Sequence, residues 1–240
     1  KKMIPKIIYR SWKTQNFHPK IQRHIDKMLK LNSEYEQIIY TDDQINDFVS
    51  SNYDREIYKA YSKLNIITAK VDFWRYLILY KNGGIYLDID SQINSKISNF
   101  LKEDDKALIT AETNPELFVQ WALFFEKNHP ILERTISKVV ENINMEKFPN
   151  DIVNTTGPGV YTSAIKEIYY ENYKEDLNWN EIDKKFNKVF NLNSNNLTSS
   201  FRIFGVDFNG FLSFKYKNTK HLYKNSLHWK KEESSKKLIN

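Results

Sequence analysis

The chain has 240 residues, no cysteine and a formal net charge of +6. That length suits one domain of roughly 200 to 250 residues with a sizeable core, and the lack of cysteine excludes disulfides and cysteine-based zinc sites while fitting a reducing compartment. No apolar run approaches the ~20 residues that a membrane span needs, and no signal peptide is visible.

We therefore expect a single domain over residues 1–240, with a lysine-rich tail at about 230–240, in the cytoplasm. The chain begins almost directly on a strand, so an N-terminal anchor outside it remains compatible. The acidic residues are interspersed with the lysines nearly everywhere. That pattern reads as a solvated surface and not as a nucleic-acid stripe, although peripheral contact with an anionic membrane surface fits the charge. Two Asn-x-Thr sequons, at Asn154 and Asn196, matter only in a secretory compartment.

In chain order, IPKIIYR (4–10) reads as a short buried strand. HPKIQRHIDKMLKLN follows as a helix, with Ile21, Ile25, Met28 and Leu29 at helical spacing and Pro19 near its start. YEQIIYT is a second strand, and TDDQ (41–44) fits a capping box opening the next helix. A further helix covers about 53–63. This alternation predicts an α/β fold with a parallel core.

The most informative block is ITAKVDFWRYLILYKNGGIYLDID. Residues 67–81 read as one helix, apolar on most of its circumference and stopped by Gly83 and Gly84. Asp72 and Arg75 interrupt that surface on one face. In the strand that follows, Ile85, Leu87 and Ile89 point one way and Tyr86, Asp88 and Asp90 the other. At ~1.5 Å per helical residue, Asp72 and Arg75 lie roughly 16 and 12 Å before the Gly-Gly turn. At ~3.3 Å per strand residue, Asp88 and Asp90 lie roughly 13 and 20 Å after it. A helix packed along its strand would thus bring three carboxylates and one guanidinium together at a strand's carboxyl end, where open α/β sheets bind ligands.

Two carboxylates one residue apart can hold a hard divalent cation through oxygen. Further on, EKNHPILERTISKVVENI is an amphipathic helix and NTTGPGVYTSAIKEIYY a tight turn running into a helix. FRIFGV and GFLSFKY are strand-like, and NLNSNNLTSS (191–200) reads as a surface loop. His18, His24 and His129 look like surface or helix-start residues without metal spacing.

The block AKVDFWRYLILYKNGGIYLDID resembles the core of glycosyltransferase family 32 and, more distantly, the glucosylating domains of large clostridial toxins. IPKIIYRSWKT, TGPGVYTSAI and HLYKNSLHW resemble the family's opening strand, Gly-Pro-Gly turn and closing element, in family order over residues 4–229. The resemblance implies a GT-A type, Rossmann-like mixed sheet flanked by helices, with additional helices. It also implies a nucleotide-sugar donor (UDP- or GDP-sugar), Mn²⁺ or Mg²⁺ as cofactor, a glycan, lipid-linked or protein acceptor, and transfer with retention.

Carried over by position, Trp12 would stack on the donor base. Asp72 and Arg75 would hold sugar hydroxyls and a phosphate. Asp88 would contact ribose or sugar, Asp90 the metal, and Tyr86 the pocket wall. Gly157 and Gly159 would shape a loop near the transferred sugar, and Trp229 belongs to the closing element. There the spacing departs from the family's, so His221, Ser226 and His228 compete as a further metal ligand. Tyr9 stands where a histidine is common.

Two rival readings remain. A metal-dependent phosphoesterase or nuclease also uses paired aspartates. A non-catalytic basic binding module would need no charges opposite Asp88 and Asp90.

Overall fold

In the computed structural model, which describes residues 3–194, 197–214, 231 and 234–240, the opening alternation of strands and helices forms as expected. β1 (Ile7–Ser11) leads through α1 (Pro19–Leu31) to β2 (Glu36–Tyr40) and α2 (Asp42–Asn52). α1 buries Ile21, Ile25 and Met28, the residues at helical spacing. α2 opens on the expected box: Thr41 N–H donates to Gln44 Oε1 at 2.9 Å and Gln44 N–H to Thr41 Oγ1 at 3.4 Å. α3 (Arg55–Lys63) is capped by Asp54.

α4 (Ile67–Asn82) is buried along most of its length and ends where Gly83 adopts φ +68°. A Cβ on Gly83 would come within 2.7 Å of the Lys127 nitrogen, and one on Gly84 (φ +121°) within 2.9 Å of the Ile7 carbonyl. Only glycine lets the chain reverse there from α4 into β3 (Gly84–Leu87).

The remaining elements are β4 (Gln92–Ile93), β5 (Ala107–Ala111), β6 (Ala122–Phe125), α5 (Pro130–Asn144), α6 (Ile152–Thr155), α7 (Pro158–Tyr173), β7 (Val189–Ser194), β8 (Leu197–Val206) and β9 (Leu212–Ser213). Seven strands form one mixed sheet in the order β2-β1-β3-β6-β5-β8-β7. β1 is parallel to β2 and β3, and β5 to β8; β6 is antiparallel to β3 and β5, and β7 to β8. It follows that β1, β2, β3, β5 and β8 all run one way and open their carboxyl ends on one edge. β4 and β9 pair separately, just past the ends of β3 and β8.

Side chains alternate across this sheet. Tyr9, Tyr86, Ile109, Leu123 and Phe201 join a core with α2, α4, α5 and α7 on one face. Ile8, Ile85, Leu87, Leu108 and Phe124 face the other way, where Met28 of α1 covers them. The result is the helix-flanked mixed α/β sheet that the resemblance implies. Among the described residues no helix is long and apolar enough to cross a membrane.

Two local readings are corrected. Within NLNSNNLTSS the described residues, 191–194 and 197–200, are strand and not loop: β7 and β8 pair antiparallel from Val189 opposite Arg202 to Ser194 opposite Leu197. Its asparagines and serines imitate a loop, but Phe190 and Leu192 are buried at strand spacing on an edge strand. The strand IYLDID stops at Leu87, so Asp88 and Asp90 lie beyond it. β5 and β6, which the sequence analysis does not single out, are buried at every residue and show no alternation because both of their faces are covered.

Candidate active site

The chain leaves the sheet at Asp88. Its N–H still donates to the Trp121 carbonyl at 2.9 Å, while its own carbonyl accepts from Ser91 N–H at 2.9 Å and closes a turn. Ile89 tucks under this turn against Ile21 and Ile25, with Trp12 packed on the same cluster. The turn is clamped by Arg10, whose side chain is fully buried. Its Nη2 donates to the carbonyls of Asp88 (2.9 Å), Ile89 (3.0 Å) and Ser91 (2.7 Å). Nη1 reaches Gln37 Oε1 at 3.2 Å. β1 and β3 are parallel neighbours, so a residue near the end of β1 meets the backbone past the end of β3.

α4 returns along β3 and brings Asp72, Arg75 and Asp88 together as the height estimate predicts. Arg75 Nη2 lies 3.1 Å from Asp72 Oδ1, and Nη1 lies 3.3 Å from Asp88 Oδ1. The guanidinium also stacks over the Tyr86 ring, 4.3 Å from its centroid. Tyr86 donates its hydroxyl to Asp88 Oδ1 at 2.7 Å. Asp90 lies two residues further on in the turn, partly exposed.

Gln120 completes the cluster. Its Oε1 and its carbonyl accept from Arg75 Nη1 at 3.1 and 3.0 Å, and its Nε2 donates to Asp72 Oδ1 at 3.2 Å and to the Tyr76 hydroxyl at 2.9 Å. Thr156 donates to Asp72 Oδ2 at 3.1 Å. Burial lifts the Asp72 carboxyl above its ordinary value, against the pull of Arg75 and Gln120. Burial also works against charge on Arg75, but Tyr86, Asp88 and Asp72 outweigh it and keep the guanidinium protonated.

The Gly-Pro-Gly turn reaches the same cluster through the backbone. Gly157 precedes α7, and the carbonyls of Thr156 and Gly157 accept from the Tyr76 hydroxyl at 2.8 and 3.2 Å. Gly159 lies in the first turn of α7, where a Cβ would meet Asn154 Oδ1 at 2.3 Å. Trp12 follows β1 and is partly exposed beside the D-x-D turn. His221, Ser226, His228 and Trp229 lie outside the described residues, as does Asn196.

Sequence reasoning missed Arg10 and Gln120. Gln120 carried a trace of a signal, as one polar residue in the apolar run FVQWALFF; Arg10 carried none, because its partners are backbone carbonyls. His18 and His129 cap α1 and α5, and His129 is fully buried, not at the surface.

The donor set suits a hard divalent cation. Asp88 Oδ1 is taken by Arg75 and Tyr86, while Oδ2 makes no hydrogen bond among the described residues and the side chain is 26% exposed. The described residues contain no group of three acidic, histidine or cysteine side chains able to hold a metal by themselves. One or two carboxylates sharing an ion with substrate phosphates is the ordinary arrangement for Mg²⁺.

Residues 19–108 match the family described as the glycosyltransferase sugar-binding region containing DXD motif. An uncharacterized glycosyltransferase of Acanthamoeba polyphaga mimivirus is 27% identical over 195 residues, 79% of this chain and 75% of that one. The initiation-specific alpha-1,6-mannosyltransferase of Candida albicans is 25% identical over 69% of this chain and 53% of its own length. Inositol phosphoceramide mannosyltransferase 3 of Schizosaccharomyces pombe is 29% identical over 65% of this chain and 43% of its own. The chain thus spans three quarters of the viral relative and about half of these fungal ones. Among solved structures, the PaToxG glycosyltransferase shares the fold with a TM-score of 0.59, at 21% identity over 72% of this chain and 71% of that one.

The D-x-D turn lies within the residues that match the DXD glycosyltransferase model, and the sheet shares its fold with the PaToxG glycosyltransferase. The relatives fit the family-32 resemblance that the motifs of the sequence carry.

Proposed function

We propose that the chain is a metal-dependent, retaining transferase that moves a hexose from a nucleoside-diphosphate sugar to a glycan, lipid-linked or protein acceptor. The observation that carries this reading is the buried Asp72–Arg75–Asp88–Tyr86 cluster beside the D-x-D turn, at the carboxyl ends of β1 and β3. A non-catalytic basic module would have no use for charges desolvated in this way. Two of the relatives are mannosyltransferases by name, so GDP-mannose is the first donor to try.

Trp12, next to the turn, offers its ring to the base. Asp72 and Arg75, already locked by Gln120 and Thr156, hold sugar hydroxyls and a phosphate without reorganising. The bond between anomeric carbon and diphosphate oxygen breaks, and its electron pair leaves with the nucleoside diphosphate. The acceptor oxygen bonds to the same face of that carbon, and its proton passes to the departing phosphate oxygen. Arg75 stabilises the developing negative charge from a fixed position. A divalent cation bound at Asp88 and Asp90 would add Lewis-acid neutralisation of the same diphosphate.

The test is nucleotide release from a panel of GDP- and UDP-sugars, with Mn²⁺ and with chelator, for wild type and Asp90→Asn. Release from one donor, lost with chelator and in the variant, supports the proposal. No release from any donor by a folded chain that binds no nucleotide refutes it.

A further inference from the structure

The acceptor is the part of this reaction that the sequence leaves open, and a second feature of the carboxyl edge bears on it. A cleft of about 720 Å³ is lined by residues that neighbour the D-x-D turn in sequence or by hydrogen bond. Its lining includes Gln92, two residues past Asp90, and His24 of α1, whose Nδ1 lies 2.8 Å from Gln92 Oε1. Trp121, whose carbonyl holds Asp88 N–H, lies in the same lining. Glu112 and Asp207 line the cleft as well. These residues directly follow β5 and β8, which run parallel to β3, so both carboxylates stand on the same edge of the sheet as Asp88.

The backbone that carries Asp207 is a built structure. Asp207, Phe208 and Asn209 all have positive φ (46°, 54° and 49°), an arrangement unusual for non-glycine residues. Thr110 holds them there: its hydroxyl donates to the Phe204 and Gly205 carbonyls and accepts from Phe208 N–H at 3.1 Å. Thr113 donates to Asp207 Oδ2. Backbone strain of this kind persists where surrounding contacts enforce it, and it clusters at ligand sites.

The chemistry of the lining separates acceptor classes. Its described residues include two carboxylates, a histidine, amides and aromatic rings, and neither lysine nor arginine. A phosphorylated lipid headgroup would meet like charge there. The hydroxyls of a neutral sugar would find acceptors in Glu112 and Asp207 and apolar contact at Trp121 and Phe214. We propose that this cleft is the acceptor site and that it takes a neutral, hydroxyl-rich glycan. The proposal rests on the transferase reading for the word acceptor, and on the cleft alone for the ligand class.

The experiment is saturation-transfer NMR of the full chain with a panel of short neutral hexose oligosaccharides, manno-oligosaccharides first, and with glycerophosphoinositol as the anionic probe. We expect one neutral oligosaccharide to bind, and Glu112→Lys and Asp207→Lys each to weaken it by roughly tenfold or more, the loss of a hydrogen bond to a charged group. In transfer assays the same variants should raise the acceptor KM more than the donor KM. The charge-matched control is Glu103→Lys, before β5 on the opposite edge, with no expected effect. Absence of oligosaccharide binding, binding indifferent to both variants, or preferred binding of glycerophosphoinositol would overturn the proposal. Failure of the nucleotide-release test with retained, Glu112-dependent glycan binding would remove the transferase reading and leave a glycan site. Release with no glycan binding would remove this inference alone.

Discussion

Arg10 should be the side chain on which the D-x-D turn most depends. Arg10→Met removes the guanidinium but keeps most of the stem's length. Three carbonyls, of Asp88, Ile89 and Ser91, then lose a charged donor at 2.7 to 3.0 Å in a buried place. An orphaned buried polar group costs about 1–3 kcal/mol, and water admitted by the shorter side chain recovers part of that. Together with the Gln37 contact, a loss of about 3–5 kcal/mol follows, the scale of breaking a buried charged network. That is a large fraction of the roughly 5–15 kcal/mol that holds a domain together.

Arg10→Lys is the milder probe: a single ammonium cannot reproduce the planar fork, and about half that loss is expected. Urea denaturation at an unchanged slope measures both. In the lysine variant, which stays folded, the turn should also present its carboxylates less well, so KM for donor rises more than kcat falls. A loss below about 1 kcal/mol in Arg10→Met, with an unchanged donor KM in Arg10→Lys, would refute the reasoning.

Further expectations follow from the same contacts. Asp72→Asn keeps the shape but leaves Arg75 paired with Asp88 alone, and should cost about 3 kcal/mol in urea unfolding while raising the donor KM. Gly84→Ala at φ +121°, with Ile7 O only 2.9 Å from the new methyl, should cost about 2 kcal/mol or more, read as a lowered Tm. Burial lowers the His129 imidazole from 6.5 to about 4. Its Nδ1 accepts from Ile131 N–H, so Nε2 carries the proton and donates to Ser200. The unfolded chain takes up a proton below pH 6.5 and the folded chain does not. Stability is therefore full above that pH and falls by about 3 kcal/mol towards pH 4, a slope that His129→Asn should flatten in denaturation series across that range.

Much of this was legible before any coordinates, for a definite reason. A carboxylate or guanidinium in an apolar helix is conspicuous, because its cost demands a partner. Helix rise and strand rise are fixed, so the heights of Asp72, Arg75 and Asp88 could be compared across one Gly-Gly turn. The contacts at 3.1 and 3.3 Å bear that out. The capping box at Thr41 was legible in the same way, since both halves lie within four residues. Residues 191–200 read as a loop because their composition is loop-like, and the buried alternation of Phe190 and Leu192 is the signal that opposes it.

What stayed hidden depends on strand order. Arg10 reaches the turn only because β1 lies beside β3, and Gln120 reaches Asp72 only because its segment leads into β6 on the other side of β3. Neither neighbourhood has a local signature. The same holds for Glu112 and Asp207. An acid after a strand marks a ligand edge only if that strand's direction is known, and here the direction is set by β6. It runs antiparallel between β3 and β5 and returns both β5 and β8 to the direction of β3. With β5 reversed, Glu112 would stand on the opposite edge of the sheet from Asp88. One antiparallel strand therefore decides whether the two acids share an edge with the D-x-D turn, and the acceptor proposal stands on that pairing.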